Sequence, residues 1–261
     1  MYTKEKQNSP TYQDSSSIEF PQNEREVSIF IKKFYKSNIP LELVGLGSKK
    51  KIGKSLQHGK TLNLSKLNSI IEYFPEELYI KVEAGTPIQK IEEELKKNKQ
   101  HLAFESIDFG YLLNKKSDYG TAGGQVACNL SGPRRLKVGS VRDHVLGFRG
   151  VNGRGEIIKS GGVVVKNVTG YDLSKLMCGS YGTLAALTEV TFKVLPAPEE
   201  SKTLAIHNQK IESALNYLEM SINSSNDVSG AIYLPKEPIV SDCVMNIENT
   251  FKLNDLKQDG S

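Results

Sequence analysis

Two glycine-rich segments carry the residues whose types and spacing indicate chemistry. GLGSKKKIGKS runs from Gly45 to Ser55, and GTAGGQVACNLSGPRR runs from Gly120 to Arg135. Glycines let backbone N–H groups approach a phosphate closely and form an anion-binding nest. The pattern predicts two phosphate-compatible loops that grip one dinucleotide. For the first loop alone, a simple turn followed by a solvated lysine face is the alternative.

The first segment departs from a triphosphate-binding loop. Such a loop has four residues between its glycines and a following helix that points its positive end at the phosphates. Here five residues separate Gly47 from Gly53, and the sequence after Ser55 leads into a predicted strand. Neither segment has the G-x-G-x-x-G spacing and later acid of a Rossmann site. A pyrophosphate is the ligand that the two loops favour.

Residues suited to metal binding or catalysis are scattered. The three cysteines lie far apart without a C-x-x-C pair, and the four histidines form no H-x-H or H-x-x-x-H pair. This argues against zinc, an iron–sulfur cluster or a disulfide framework in this chain, so we predict no metal site. Arg134 and Arg135 could bind a carboxylate, a partner subunit or surface acids. We assign no catalytic residue.

Regular elements flank both loops. A helical pattern capped by Asn23 precedes the strand LELVG, and the strands TLNLS, SIIEYF and LYIKVEAG follow the first loop. A helix with Thr86 as its cap precedes the second loop. Beyond that loop the sequence predicts a hairpin through Asn152 and Gly153, a short helix capped by Asp172, and the buried strand TLAALTEVTFKVLP.

Composition and charge set the outer bounds. A hydrophobic content of 38%, a charged content of 25% and a net charge of +4 indicate a globular protein that does not require nucleic acid. The N-terminus has no apolar core for a signal peptide, and no run of eighteen apolar residues occurs. A cytoplasmic location fits best, with any contact to a membrane made through partners.

The chain divides into three predicted regions. Residues 1–22 are polar and are expected to form a disordered tail. Residues 23–196 form the main domain, and Pro196 and Pro198 make a stiff linker. Residues 200–261 read as a partial second domain with a strand, a helix and the strands AIYL and VMNIE.

A resemblance to a known family rests on the second glycine-rich segment and on the chain from there to Pro196. GGQVACNLSGPRRLKVGSVRDHVLGFRGVNGRGE and GGVVVKNVTGYDLSKLMCGSYGTLAALTEVTFKVLP closely resemble the FAD-binding subunits of bacterial glycolate oxidases, within the vanillyl-alcohol oxidase or PCMH-type FAD-binding family. The similarity covers about residues 40–200. It implies an α+β fold in which FAD lies between two α/β subdomains, followed by a partial, truncated α+β C-terminal domain.

The resemblance also implies site residues by motif position. Because the first loop offers Ser48 and Lys49 rather than His or Cys, FAD is expected to be noncovalent. The adenine end is expected near FESID, residues 104–108. The predicted cofactor-binding residues are Gly45, Leu46, Gly47, Ser48 and Lys49 in the first pyrophosphate loop, Thr121, Gly123, Gly124 and Gln125 in the second, Asn129 and Gly132 beneath the ribityl chain, Ser140 and Asp143 on the flavin side, and Thr188, Glu189 and Val190 in the strand beside the cofactor.

The activity implied is oxidation of glycolate, a small 2-hydroxy acid, to glyoxylate. The partners implied are a larger flavin-containing subunit and an iron–sulfur subunit that passes electrons onward. Two alternatives stay open. The chain could be an autonomous flavin-dependent D-2-hydroxy acid dehydrogenase, which needs a general base that the sequence does not reveal. It could also be a structural subunit of the same fold without bound FAD.

Overall fold

The structure is a computed structural model of the 261-residue chain. It describes residues 18–50, 52, 59–108, 119–162, 171–234 and 250–251. Strands within these ranges are β1 Ile18–Glu19, β2 Leu41–Val44, β3 Lys60–Asn63, β4 Ile70–Phe74, β5 Tyr79–Glu83, β6 Gln100–His101, β7 Val145–Asn152, β8 Ile157–Gly161, β9 Ala185–Lys193, β10 Leu195–Pro196, β11 Thr203–Leu204 and β12 Thr250–Phe251.

The helices differ widely in length. Three have nine or more residues, and the four between them on the chain have four to seven. They are α1 Glu24–Lys36, α2 Ile88–Lys96, α3 Ala122–Cys128, α4 Arg135–Val138, α5 Val141–His144, α6 Leu173–Met177 and α7 Ile211–Ile222.

Two sheets organise the fold. A parallel sheet has the order β1-β3-β2, and an antiparallel sheet has the order β4-β5-β9-β7-β8 with β9 at its centre. The first loop leaves the carboxyl end of β2, and the second loop leads into α3, which contacts β5 and β9. The fold is therefore α+β with two sheet-centred parts, as the sequence predicts.

Each sheet has its own core. Val27 and Ile31 of α1 pack with Leu62 of the parallel sheet and with Val151 and Ala186 of the antiparallel sheet. Because α1 touches both, it holds the two sheets together. The larger core buries the predicted apolar face of α2 against the antiparallel sheet and α3, and full burial of each large aliphatic side chain contributes about 1.5–3 kcal/mol. That face consists of Ile88, Ile91 and Leu95.

Most predicted elements are confirmed, with their caps. Asn23 Oδ1 accepts from the Glu26 N–H at 2.9 Å, and Asp172 Oδ1 accepts from the Lys175 N–H at 3.2 Å. The cap of α2 is predicted wrongly. Pro87 is its N-cap, while the Thr86 hydroxyl donates to the Ser69 carbonyl at 3.1 Å. Thr86 therefore ties the start of α2 to the segment before β4.

Near both ends of the chain, the described residues differ from the predicted disorder, strands and linker. Ile18 and Glu19 pair with β3, so the predicted disorder is wrong for these two residues. The segment AIYL, residues 231–234, is not a strand, and VMNIE lies outside the described residues. Pro196, in the predicted linker, pairs with Gln100 of β6. The linker therefore begins as part of a short β-ladder.

Helix α7 forms as predicted, but its apolar face is not covered by the described part of the chain. Ile211 is 53% exposed, Leu215 57% and Ile222 55%, whereas Ala214 is buried. A helix of twelve residues gains most of its stability from packing rather than propensity. Region 200–234 is thus built more loosely than the two cores before it.

Candidate functional site

The first loop is fixed to the strand that precedes it. Gly47 has φ +76°, a left-handed conformation that glycine adopts without strain, and its carbonyl accepts from the Lys50 N–H at 3.2 Å. The Lys50 ammonium donates to Glu42 Oε2 at 2.8 Å. The Glu42 carboxylate is buried in β2 and also accepts from the Thr61 hydroxyl at 3.2 Å. These bonds hold the loop in a compact turn.

The backbone donors of the first loop remain open. Within the described ranges, the N–H groups of Gly45, Leu46 and Ser48 have no hydrogen-bond acceptor. Ser48 is buried, whereas Leu46 is exposed. Backbone donors without a protein acceptor in a fixed turn suit an anionic ligand. The first loop can donate to a phosphate without giving up any protein contact.

The second loop uses its backbone donors internally. The Ala122 N–H donates to the Thr86 carbonyl at 2.9 Å, the Gly123 N–H to the Ala84 carbonyl at 2.7 Å, and the Gly124 N–H to Thr121 Oγ1 at 3.2 Å. These three N–H groups are therefore already bonded within the protein. The loop instead builds the N-terminus of α3 against the end of β5.

Gly123 of the second loop stands where a side chain would not fit. A Cβ on Gly123 would lie 2.9 Å from the Ala84 Cβ and 3.0 Å from the Ala84 carbonyl oxygen. Only glycine lets α3 approach β5 this closely. The same loop meets the first one, since a Cβ on Gly45 would lie 2.6 Å from Thr121 Oγ1.

Further contacts confirm that the two loops converge. A Cβ on Gly120 would lie 2.5 Å from the Ser48 hydroxyl oxygen. The Lys49 ammonium donates to the Tyr119 carbonyl at 3.3 Å and lies 3.3 Å from the Ser48 hydroxyl. One lysine therefore links both loops and brings a positive charge to their junction.

Gln125 and Asn129 support the second loop from within α3. The Gln125 amide Nε2 donates to the Tyr119 carbonyl at 2.7 Å, and its Oε1 is buried without a partner among the described residues. Asn129 ends α3 with φ 49°, and its Oδ1 accepts from the Arg142 N–H at 3.0 Å. Gln125 thus offers a free acceptor, while Asn129 connects α3 to α5.

Other predicted positions have structural partners. Asp143 Oδ2 accepts from the Ser140 N–H at 2.8 Å and the Ser140 hydroxyl at 3.0 Å, and the backbone hydrogen bond from Ser140 is the main cause of the lowered pKa of Asp143. Gly132 lies against Glu105, because a Cβ there would be 2.0 Å from Glu105 Oε2. Their roles in binding a flavin stay predictions.

Strand β9 contributes an ion-pair cluster at its predicted positions. The Thr188 hydroxyl donates to Glu24 Oε1 at 2.7 Å, and Arg149 pairs with Glu24 at 2.5 Å and with Glu189 at 3.5 Å. Burial raises the pKa of Glu189, while the hydrogen bond to Glu24 raises the pKa of Arg149. Val190 is fully buried, and its neighbours β5 and β7 pair with β9 on both sides. The cluster joins α1 to the antiparallel sheet.

A cavity of about 300 Å³ lies beside β2 and was not predicted. Leu41 and Leu43 line it from one face of β2, since residues two apart in a strand share a face. The sequence signals for this cavity were the alternating leucines of β2 and the small residue Gly182 after α6. The main side chains and backbone around the cavity belong to Phe34, Leu41, Leu43, Val151, Gly182 and Ala186.

Phe104 does not line this cavity. Its ring is 2% exposed and packs at 5.4 Å from Phe192 and 5.8 Å from His144, measured between centroids. His144 donates from Nε2 to the Val138 carbonyl at 2.8 Å, and burial lowers its pKa. The expected adenine end at residues 104–108 is therefore a core segment where it begins, and His144 is a buried neutral residue.

Together these features describe an α+β protein with two sheets, two converging loops suited to a nucleotide's phosphates, and a cavity of mixed polar and apolar lining. Residues 16–161 match the protein family described as FAD binding domain. The chain belongs to this family, which is the PCMH-type FAD-binding family that the sequence resembles. FAD is accordingly its cofactor.

Curated relatives agree with the family. The chain is 46% identical over 165 residues to glycolate oxidase subunit GlcE of Escherichia coli (strain K12), over 63% of this chain and 45% of the relative. It is 35% identical to D-lactate dehydrogenase of Anaerostipes hadrus, over 62% and 32%, and 33% identical to glycolate oxidase subunit GlcD of Bacillus subtilis (strain 168), over 78% and 42%. The chain thus spans less than half the length of each.

Solved structures show the same fold at low identity. A crystal form of alkyldihydroxyacetonephosphate synthase superposes with a TM-score of 0.55 and 21% sequence identity, over 70% of this chain and 32% of that one. At this identity the likeness concerns the fold alone.

No helix in the described part of the chain is both long and apolar enough to cross a membrane. Likewise, the described residues contain no cluster of three or more His, Cys, Asp or Glu suited to a metal ion.

The residues at the site fit FAD. Open N–H donors at Gly45, Leu46 and Ser48 suit a diphosphate, and the Lys49 ammonium adds an opposite charge. The partnerless Oε1 of Gln125 can accept a hydrogen bond from a ribityl or ring donor. The cavity beside β2 offers apolar side chains such as Leu41 and Leu43 for a flat purine, with polar groups such as Asn152 beside them.

Proposed function

We propose that the chain binds FAD noncovalently, with the diphosphate at the junction of the two loops and the adenine in the cavity beside β2. The contact of Gly45 with Thr121 carries this proposal, because it places open donors of one loop against the second. Leu43 and Gly45 are two residues apart, roughly 7 Å along a strand. A single nucleotide can therefore reach from the cavity to the loop junction.

A noncovalent cofactor is supported by the chemistry of the site. Cys128, whose thiol is near Lys49, is held protonated because burial raises its pKa. The thiolate, not the thiol, is the nucleophile in covalent attachment. We expect trichloroacetic acid precipitation of the loaded protein to release all flavin into the supernatant. Flavin retained in the pellet would contradict this assignment.

The chain is proposed to serve as the FAD-binding subunit of a glycolate oxidase type complex. Glycolate loses two electrons and two protons to become glyoxylate, and FAD when bound supplies the electron acceptor. The residues of this chain bind and orient the cofactor. His144 is buried and neutral, and it donates to a backbone carbonyl, so the base for the substrate hydroxyl is assigned to the larger flavin subunit.

Other parts of the proposal concern location and organisation. An iron–sulfur subunit receives the electrons, and the complex lies in the cytoplasm or peripherally on the membrane through these partners. Residues 23–196 form the FAD-binding domain, and residues 200–261 belong to a second domain. The exposed apolar face of α7 supports this division, since such a face is built to be covered.

Two experiments test the proposal separately. The purified full chain, titrated with FAD, should show saturable binding with flavin absorption retained after gel filtration; no bound flavin would favour a scaffold role. Tagged chain purified from its native cells should bring a larger flavoprotein and an iron–sulfur protein, and this complex should reduce an artificial acceptor with glycolate. A complex that binds FAD but ignores glycolate would overturn the activity alone.

An autonomous D-2-hydroxy acid dehydrogenase is the second candidate. The 35% identity to the D-lactate dehydrogenase of Anaerostipes hadrus favours it. Its test is turnover of D-lactate or glycolate by the purified, FAD-loaded chain without partners. Turnover by the chain alone would replace the subunit proposal, whereas activity only in the complex would reject the autonomous enzyme.

A further inference from the structure

The ion-pair cluster joins the first turn of α1 to strands β7 and β9. The Arg149 guanidinium donates to both oxygens of the Glu24 carboxylate, from Nε at 3.2 Å and from Nη2 at 2.5 Å. The Thr188 hydroxyl donates to Glu24 Oε1 at 2.7 Å. Two bonds from one guanidinium to one carboxylate set the direction as well as the distance of the pair. Glu24 is therefore held at one place on the antiparallel sheet.

The same two strands also form a wall of the cavity beside β2. Val151 lies two residues beyond Arg149 in β7, and Ala186 lies two residues before Thr188 in β9. Val151 and Ala186 belong to the core that packs against α1, and both line the cavity. Two residues of a strand span roughly 7 Å. The ion-pair cluster is therefore close to the cavity without lining it.

Helix α1 forms the facing wall of the cavity. Glu24 is its first residue, whereas Ile31 and Phe34, further along the helix, line the cavity. The ten residues from Glu24 to Phe34 span about 15 Å of helix. Between them, the Ser28 hydroxyl donates to the Gly155 carbonyl at 2.6 Å, which anchors the middle of α1 to the β7–β8 turn. Release of Glu24 would let α1 tilt about this anchor and change the distance of Phe34 from the strands.

We propose that Arg149, through Glu24, positions α1 so that the cavity keeps the width that an adenine requires. This inference rests on the proposed function, which places the adenine of FAD in that cavity. Arg149 is a positioning residue, since it acts through α1 and does not contact the cofactor. It thereby favours FAD and ADP, which carry an adenine, over FMN, which has none.

Titrations of the full chain with FAD, ADP and FMN test this role. Arg149→Met should raise the Kd for FAD and for ADP by about fivefold, the size expected for an ion pair whose side chains are partly exposed. The Kd for FMN should stay within about twofold of the wild type. Arg25→Met is the matched control, because Arg25 is exposed on the same turn of α1. It should leave all three Kd values within about twofold.

A double-mutant cycle separates positioning from a general loss of stability. Glu24→Gln should weaken FAD and ADP binding as Arg149→Met does, and the double variant should lose little more than either single variant, because each change breaks the same pair. Urea unfolding measures stability separately from these Kd values. If Arg149→Met does not fold, Glu24→Gln and Arg149→Lys, which keeps the charge but not the paired bonds, decide the question.

Hydrogen exchange of the free chain tests the same role without a ligand. The amides of residues 31–36, at the end of α1, should exchange faster in Arg149→Met than in the wild type, and those of α2 should not. Unchanged exchange in α1 would overturn the positioning role.

Three binding results would also overturn it while leaving FAD binding intact. These are equal Kd values for FAD and ADP in Arg149→Met and wild type, an equal loss for FMN, or additive losses in the double variant. A wild-type chain that binds no FAD would overturn the proposed function, and the exchange rates would then still decide whether Arg149 positions α1.

Discussion

The two glycine-rich loops look alike in sequence but work differently. The first leaves the N–H groups of Gly45, Leu46 and Ser48 open, whereas the second spends those of Ala122 and Gly123 on protein carbonyls. The first loop therefore offers backbone N–H donors to a ligand, whereas the second lets α3 pack closely against β5. The lesson is that glycine in a ligand loop can serve backbone donation or backbone packing, and only the hydrogen-bond partners distinguish them.

The largest expected effect comes from closing the junction of the loops. Gly45→Ala places a methyl group 2.6 Å from Thr121 Oγ1, so the loops must move apart. Overpacking of this kind costs about 1–3 kcal/mol, and where the FAD-bound arrangement of the loops carries that cost, binding weakens by roughly fivefold to 140-fold. Fluorescence titration with FAD measures the change.

The matched control is Gly162→Ala. A Cβ there meets nothing within 4 Å, and the residue follows β8, an edge strand of the antiparallel sheet, outside the lining of the cavity. FAD affinity should equal that of the wild type. Equal affinity for Gly45→Ala and Gly162→Ala would show that the junction does not bind the cofactor.

A second test removes the charge that links the loops. Lys49→Met keeps the length of the side chain but loses the donor to the Tyr119 carbonyl. FAD binding should weaken by about tenfold, and it should depend less on salt, because an ion pair with a phosphate is screened. Lys66→Met, at an exposed lysine, should change neither affinity nor its salt dependence. The same salt slope in Lys49→Met and wild type would place the phosphates elsewhere.

A third test sharpens the structural role of the second loop. Thr121→Val removes the hydroxyl that accepts from the Gly124 N–H at the start of α3. Losing a helix N-cap costs about 1 kcal/mol, visible as a lower urea midpoint without FAD. Thr121→Ser retains the hydroxyl and should recover most of that stability. Unchanged stability in Thr121→Val would mean that the second loop does not act as a packing element.

The smallest expected effect is the pH dependence of folding stability that His144 causes. This residue lies in α5, which contacts α3 behind the second loop. Burial lowers the pKa of His144 below 6.5, so the folded state binds fewer protons than the unfolded state as pH falls. Stability is complete above that value and declines as pH drops from about 7 to about 5. The lowered pKa of Asp143 keeps its stabilising effect within this window, since that effect is lost only at lower pH.

Urea unfolding of wild type and His144→Phe at both pH values measures this decline. The variant should lose less stability than the wild type, with a remainder from His101, whose pKa is also lowered by burial. If the free energy of unfolding falls equally in the two proteins between these pH values, the pKa of His144 is the same in the folded and unfolded states.

Elements with strong local signals could be predicted from the sequence. The caps Asn23 and Asp172 and the apolar spacing of α2 placed these helices correctly. Thr86 was misjudged because its hydroxyl bonds to Ser69, seventeen residues earlier, and a local motif cannot reveal such a partner. The disorder expected at Ile18 failed for the same reason, since its pairing with β3 is distant in sequence.

The candidate site was predictable only in outline. Glycine spacing indicated two phosphate-compatible loops, and the structure places them in contact. Which N–H groups are already bonded depends on Ala84 and Thr86, far from the loop pattern in sequence. The cavity beside β2 arises from α1 and both sheets together, so no single segment announces it.

A crystal structure of the full chain with FAD tests the central claim most directly. The account predicts diphosphate oxygens within hydrogen-bonding distance of the N–H groups of Leu46 and Ser48, with Thr121 adjacent and the adenine beside Leu43. A diphosphate bound away from this junction, with those N–H groups left to water, would contradict it.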